Sequence, residues 1–166
     1  MTLRSTILRC LDWEQWRILI KKEKTMFSKE ESARMRQEFW TSFGKSFPRK
    51  WILYNTKIKG FSFKFHFDTK KAMVLVVIEG NLEHRIRYFE KMQSLENLLM
   101  DYWEDAVFSD SFELENGKEI SCVFVEKYGV SIHNKSTWQE TMNFLHEKML
   151  KLEEFWLEYE DFFRDE

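Results

Sequence analysis

Four phenylalanines at every second position restrict the fold of this chain more than any other feature. They are Phe61, Phe63, Phe65 and Phe67, and they alternate with Ser62, Lys64 and His66. Side chains in an extended strand point alternately to opposite faces, so the four rings share one face and the polar residues share the other. The pattern predicts a strand that packs an aromatic face into a core, and therefore a chain built around a sheet.

The segments on both sides of this strand predict a three-stranded meander. A turn at residues 68–71 leads into residues 72–78, a continuous apolar run that is typical of a strand buried on both faces. Residues 51–55 precede the aromatic strand and are interpreted as the third strand of the meander.

A second part of the sheet is predicted further along the chain. Asn116 and Gly117 favour the positive φ angles of a tight hairpin turn, which would join residues 107–115 to residues 118–127. Residues 130–133 are interpreted as one more short strand.

The first two helices have recognisable start and stop signals. A capping box of Ser28 and Glu31 predicts the start of helix one, and Pro48 requires that it has ended by then. Asn81 predicts the N-cap of helix two, whose apolar face continues to Trp103.

The last helix begins at a capping box of Ser136 and Gln139 and has a very regular apolar seam. The seam residues are Trp138, Met142, Leu145, Met149, Leu152, Trp156, Tyr159 and Phe163. They step alternately by four and three positions, and this spacing is typical of a helix that supercoils against another helix. The partner is either helix two of the same chain or the last helix of a second copy, so a monomer and a homodimer are both compatible with the seam.

Together these elements predict one α+β domain over residues 26–166. Its antiparallel or mixed sheet has five to six strands packed against three helices, in the order α-βββ-α-ββ(β)-α. Residues 1–25 precede a second methionine, Met26, and are interpreted as an N-terminal extension that can be helical. The 166 residues are enough to bury one sizeable core without disulfide or metal staples.

Composition narrows the classes of function. No window approaches the roughly 20 consecutive apolar residues of a membrane span, and charged residues interrupt the N-terminal segment, so the expected location is the cytoplasm. Cys10 and Cys122 share no spacing motif, and the four histidines are scattered, so neither a disulfide nor a zinc site is predicted. No catalytic constellation and no cofactor motif is visible, which favours a protein that binds rather than catalyses.

The charge distribution predicts where binding would take place. A cationic segment carries Arg49, Lys50, Trp51, Lys57, Lys59, Lys64, Lys70 and Lys71. Lysine and arginine neutralise phosphates, and aromatic rings stack on unpaired bases, so this segment favours an interaction module that contacts nucleic acid or an acidic protein. The alternative is that the phenylalanine face is core and the lysine face is only solvated, which an alternating strand predicts without any ligand.

A nuclease is the second hypothesis. The predicted succession of helix, three strands, helix and strand resembles the core of restriction-type nucleases, in which two acids on neighbouring strands hold a metal ion. Asp68 and Glu79 are the acids placed for this role, and two carboxylates can hold Mg²⁺. Gly80 and Asn81 follow Glu79, so the lysine of the nuclease motif is missing.

Three stretches of the chain resemble a known family. Residues 38–67 read EFWTSFGKSFPRKWILYNTKIKGFSFKFHF, residues 114–120 read LENGKEI, and residues 152–162 read LEEFWLEYEDF. They are similar to the bacterial domain of unknown function 4268 (DUF4268), in its short single-domain form from Bacteroidetes-type genomes, over roughly Met26 to Glu166. Longer relatives carry a nuclease-like domain before this one, so the resemblance implies an association with nucleic-acid processing. It supplies no catalytic or binding residues.

Overall fold

The structure is a computed structural model that describes residues 13–164, and the side chains of residues 19–28 lie outside the description. The chain divides into two compact units, residues 1–42 and residues 43–166. Helix α1, Trp13–Ser46, makes up the described part of the first unit, and its last turn belongs to the second.

Helix α1 begins earlier than the sequence signals predicted. The prediction of a helix start at Ser28 is wrong, because α1 is already helical at Trp13 and passes through Ser28 without a break. Residues 13–46 contain no proline, so the capping box lies inside a stretch where nothing interrupts the helix. The predicted extension over residues 1–25 is therefore helical from Trp13 onwards, and its first twelve positions lie outside the described residues.

The second unit contains an antiparallel sheet with the strand order β1-β2-β4-β3. The strands are β1 Phe61–Phe67, β2 Lys71–Ile78, β3 Val107–Glu113 and β4 Glu119–Tyr128. Within residues 13–164 these four are the strands of the sheet, so the prediction of five to six is wrong in number, while the α+β class is confirmed. The hairpin predicted at Asn116 and Gly117 is confirmed, because β3 and β4 pair across it, but only Gly117 of the two has a positive φ, at 82°.

The two missing strands have other conformations for identifiable reasons. Residues 51–55 form a turn, in which the Asn55 amide donates to the Ile52 carbonyl at 2.8 Å and Leu53 has φ 44°. This turn lies along the outer edge of β1, where the Leu53 carbonyl accepts from the Phe63 amide at 3.0 Å. Residues 130–133 bury alternate side chains as a strand would, but they pair with no strand of the described sheet, and the Ile132 amide donates to the Asp68 carbonyl at the sheet end.

The helices of the second unit are shorter or more divided than predicted, except the last. Helix α2, Leu82–Ser94, begins at the predicted cap, where the Asn81 side chain accepts from the His84 amide. It ends well before Trp103, and a separate turn, α3 Glu96–Leu99, follows. Helix α4, Trp138–Arg164, matches the predicted last helix. Within residues 13–164 there are thus more than the predicted three helices, and none is long and apolar enough to span a membrane.

The start of α4 differs from the predicted capping box. A 3-10 turn, Lys135–Thr137, precedes the helix and is capped by Asn134, whose side chain accepts from the Ser136 amide. Gln139 donates to Asn143 instead of reaching back to Ser136.

The aromatic face of β1 packs against α4, as its period-two pattern predicted. Phe61 stacks on Trp156 with ring centroids 5.3 Å apart, and Phe63 meets the edge of the same indole at 5.6 Å. On the same face of the sheet, Phe89 of α2 meets Phe108 of β3 at 6.2 Å. Helices α2 and α4 therefore cover one face of the sheet together.

The apolar seam of α4 is used inside the chain. Seven of its eight residues are buried, and Tyr159 is half-buried. Trp156 and Phe163 both contact Phe61, so this part of the seam packs on a strand and not on a second helix. A 3.5-residue spacing does not separate these two kinds of partner, because a long helix also needs an apolar stripe to cover a sheet.

The opposite face of β2 is buried as well, which confirms that this strand is apolar on both sides. Its side chains join those of β4 in a cluster formed by Met73, Leu75, Val77, Ile120, Cys122 and Phe124. Lys64 of β1 lies on this face and is exposed.

Candidate binding loop

The predicted basic segment does not form one surface. Lys59 precedes β1 and Lys70 follows it, so they lie at opposite ends of a seven-residue strand, about 20 Å apart. Lys64 points away from α4 in the middle of the same strand. The cations are therefore spread over both ends and one face of the sheet.

Three members of the segment are engaged within the chain. Arg49 forms an ion pair with Glu153 at 3.0 Å, and Lys71 forms one with Glu126 at 3.2 Å. The Trp51 ring is half-buried, and it meets Phe65 at 5.6 Å. These three residues stabilise the fold through these contacts.

Five exposed side chains besides Arg49 lie on one continuous loop, residues 49–60, which is called the binding loop below. They are Lys50, Tyr54, Asn55, Lys57 and Lys59. None of the three lysines forms an ion pair with an acid among residues 13–164. The Tyr54 ring is 77% exposed, which is unusual among the described aromatic side chains, most of which are buried or half-buried.

The first anchor of the binding loop is the carboxylate of Glu153 in α4. This side chain is buried, and its Oε1 accepts from Arg49 Nη2 at 3.0 Å. Its Oε2 accepts from the backbone amide of Ile52 at 2.7 Å. Both carboxylate oxygens thus hold the first half of the loop against the helix.

The second anchor is Thr56, which is completely buried. Its hydroxyl donates to the Phe61 carbonyl at 2.5 Å and accepts from the Ile58 amide at 3.2 Å. Its carbonyl accepts from Arg164 Nη2 at 3.0 Å. The second half of the loop is therefore tied both to the start of β1 and to the end of α4.

The backbone of the binding loop is held in conformations that ordinary residues avoid. Leu53 has φ 44° and Lys57 has φ 64°, and each such non-glycine residue costs of order 1 kcal/mol or more. At Gly60, φ is 74° and a Cβ atom would lie 2.5 Å from the Glu79 carbonyl oxygen, so only glycine fits there. The two anchors maintain this geometry, and the loop is preorganised.

A histidine lies beneath the binding loop. The His146 ring stacks on Phe47 with centroids 4.1 Å apart and meets the edge of Trp51 at 5.7 Å. Burial, and then the positive charge of Arg49, lower the pKa of His146. His146 is therefore neutral near pH 7, and it supports the loop through ring packing and not through charge.

The two acids of the nuclease hypothesis do not meet. In the β1–β2 hairpin, Phe67 pairs with Ala72 and Phe61 pairs with Ile78, so Asp68 and Glu79 lie at opposite ends, about 20 Å apart. The prediction that they share a metal ion is wrong, because a bridging ion needs both carboxylates within a few ångströms. Among residues 13–164 no group of three or more metal-binding side chains is placed to hold an ion.

Each of these acids has another partner within the described chain instead. Asp68 Oδ2 lies 2.7 Å from His66 Nε2, and Asp68 Oδ1 accepts from the backbone amides of Lys70 and Lys71. Partial burial acts to raise the pKa of Asp68, but these hydrogen bonds outweigh it and the pKa is lowered. Glu79 pairs with Lys118 at 3.3 Å. Both acids therefore have structural roles at turns.

The anchors were missed in the sequence, although one signal pointed to Glu153. Met149, Leu152, Glu153 and Trp156 are spaced as one face of a helix, so a carboxylate stands within an apolar stripe. Such a residue is buried only when it is paired, which indicates a partner elsewhere in the chain. No comparable signal exists for Thr56 or for the exposure of Tyr54.

Comparison with known proteins identifies a family but no activity. A family model described as "Domain of unknown function (DUF4268)" matches residues 35–160. No curated protein matches the chain. No solved structure matches it either.

Proposed function

Because the chain belongs to the DUF4268 family, whose description assigns no activity, we propose a function from its own surface: the binding loop holds nucleic acid. The observation that carries the proposal is a set of three lysines that form no ion pair with an acid among residues 13–164, on the same loop as an exposed ring and fixed by two buried anchors. The function proposed is binding alone, as a non-catalytic interaction module.

Each part of this arrangement has a defined role in the proposal. Lys50, Lys57 and Lys59 neutralise backbone phosphates, and the release of condensed counterions provides the affinity. Tyr54 offers a face on which an unpaired base stacks, and such stacking is worth about 1–3 kcal/mol per base. A loop that is already ordered loses little conformational entropy on binding.

The exposed ring favours nucleic acid over an acidic protein. An acidic protein surface would be recognised by the lysines alone, since carboxylates need only positive charge and hydrogen-bond donors. The Tyr54 ring adds a stacking partner that single-stranded nucleic acid uses and a carboxylate does not. The preferred ligand is therefore single-stranded.

The experiment is a fluorescence anisotropy titration of labelled single-stranded and duplex oligonucleotides at several salt concentrations. We expect salt-dependent binding that is tighter for the single strand. The triple variant K50Q/K57Q/K59Q should reduce the slope of log K against log salt by about 2, since each phosphate contact to a single strand contributes about 0.7. Tyr54→Ala should weaken single-strand binding and leave duplex binding almost unchanged.

The matched control is K64Q/K70Q, which removes two exposed lysines on other parts of the sheet. This variant should bind like the unmodified chain. If the control and the loop variant lose affinity equally, binding depends on net charge and not on the loop. If polyglutamate displaces the labelled oligonucleotide as well as unlabelled oligonucleotide does, and Tyr54→Ala has no effect on binding, the ligand class is an acidic protein instead.

A further inference from the structure

We infer that residues 56–60 form a cradle for a single phosphate group. This inference rests on the proposed function, because it names the chemical group that the binding loop takes from its ligand. The cradle consists of three backbone amides and two lysine side chains, all within one tight turn of the loop.

Three amides in this turn have no acceptor in the described chain. The N–H groups of Lys57, Lys59 and Gly60 donate to no atom of residues 13–164. Two neighbouring amides are used, since that of Ile58 donates to the Thr56 hydroxyl and that of Phe61 donates to the Ile58 carbonyl. Lys57 and Lys59 are exposed and Gly60 is half-buried, so these N–H groups are strong donors within reach of an acceptor from solution.

The turn contains two residues with positive φ. Lys57 has φ 64° and Gly60 has φ 74°, and each follows a residue with negative φ. A positive φ after a negative one is a feature of the backbone nests that hold phosphates in other proteins, so the turn meets one of their conditions.

The charges around the turn favour an anion. Lys57 and Lys59 are exposed and form no ion pair among residues 13–164. Arg164 donates to the Thr56 carbonyl at 3.0 Å, and its own charge is paired with Glu160 at 3.0 Å. Glu79, the acid whose backbone amide donates to Gly60, has its carboxylate held by Lys118 at 3.3 Å, so its charge is compensated.

A phosphate fits this set of donors better than a carboxylate does. A phosphate monoester presents three acceptor oxygens and carries about −1.5 to −2 charges near pH 7, which corresponds to three amides and two lysines. A phosphodiester within a strand offers the same kind of oxygens with one charge. The shared chemistry is the phosphate group, and its source is either the end of a strand or its interior.

The test is a titration of isotopically labelled full-length chain followed by amide resonances. Inorganic phosphate should shift the amides of Lys57, Lys59 and Gly60 most strongly, and sodium chloride at matched ionic strength should not. The variant K57Q/K59Q should weaken the apparent phosphate affinity about tenfold, because two charge-assisted contacts are lost. The variant K64Q/K70Q should titrate like the unmodified chain.

Oligonucleotides with a 5′-phosphate and with a 5′-hydroxyl distinguish the two sources. A tighter complex with the phosphorylated strand assigns the cradle to a strand end, and equal affinities assign it to an internal phosphodiester. Oligonucleotide binding without any response of the three amides to either strand or to phosphate would overturn the cradle and leave the proposed function standing. Amide shifts with inorganic phosphate but no oligonucleotide binding would support the cradle and overturn the proposed function.

Discussion

Glu153 accepts a hydrogen bond from Arg49 across 104 positions of the chain, and the two side chains are exposed to very different degrees. The Glu153 side chain is 3% exposed, whereas that of Arg49 is 47% exposed. The ion pair is therefore asymmetric, with a buried carboxylate and a guanidinium that reaches water. Removing one partner should not have the same effect as removing the other.

Arg49→Ala should destabilise the chain more than Glu153→Gln. Among residues 13–164, the first change leaves the buried carboxylate with the Ile52 amide as its one hydrogen-bond partner, at a cost of about 3 kcal/mol or more. The second removes the charge and keeps an acceptor for Ile52, at a cost of about 1 kcal/mol. Urea denaturation measures both. As a control, Glu147→Gln breaks the exposed pair with Lys151 and should change stability by less than about 0.5 kcal/mol. Equal effects at Arg49 and Glu153 would contradict the asymmetry.

Thr56→Val should lower the free energy of unfolding by about 1–3 kcal/mol. Valine keeps the shape of threonine but leaves the Ile58 amide without its acceptor and the Phe61 carbonyl without its donor. Thr56→Ser should restore most of the loss. Thr69→Val, at an exposed position, is the matched control and should be nearly neutral. A neutral Thr56→Val would mean that the hydroxyl does not anchor the loop.

The contribution of Asp68 to stability should disappear in acid. The hydrogen bonds from His66, Lys70 and Lys71 lower the pKa of Asp68 below its ordinary value of 3.8, despite the opposing effect of burial. The carboxyl of Asp68 therefore binds a proton at higher pH in the unfolded chain than in the folded one. Its stabilising effect is complete above pH 3.8 and is lost as the pH falls through the lower pKa of the folded state. The difference in unfolding free energy between the unmodified chain and Asp68→Asn should shrink over that window. A difference independent of pH would assign the effect to shape and not to charge.

Cys122 should resist thiol reagents in the folded chain. Burial raises the pKa of its thiol to about 12, and the side chain is completely covered. Since the ordinary value is 9.0, the thiolate is about a thousandfold scarcer than in an unfolded chain. In a Cys10→Ser variant, Cys122 is the sole thiol, and it should react with a disulfide reagent only after urea is added. Rapid labelling without urea would show that the strand opens.

The sequence patterns that predicted the fold correctly were local ones. The alternation at Phe61–Phe67, the cap at Asn81 and the turn at Gly117 each depend on the nearest few residues, and each is confirmed. The predicted strand at residues 51–55 is wrong because its conformation depends on distant anchors: the Ile52 amide is bound by Glu153, and Leu53 adopts a positive φ. Period and propensity carry no information about such long-range contacts.

The candidate site could be predicted only in part. The cationic character of residues 49–60 is visible in the sequence, and it places Lys50, Lys57 and Lys59 on a common segment. The sequence does not reveal that Arg49 and Lys71 are taken up by ion pairs, because their acids lie far along the chain. Tertiary contacts therefore decide which cations form ion pairs and which remain available.

Both anchors of the binding loop depend on α4, and this has a consequence for synthesis on the ribosome. The lysines of the loop are translated roughly a hundred residues before Glu153 and Arg164. While α4 is still inside the ribosome, the nascent chain already carries the lysines of the loop. The contacts from α4 that fix the backbone of the loop have not yet formed. The loop is therefore held in its described shape only once the last helix has been made, because that helix supplies the partners of the Ile52 amide and the Thr56 carbonyl.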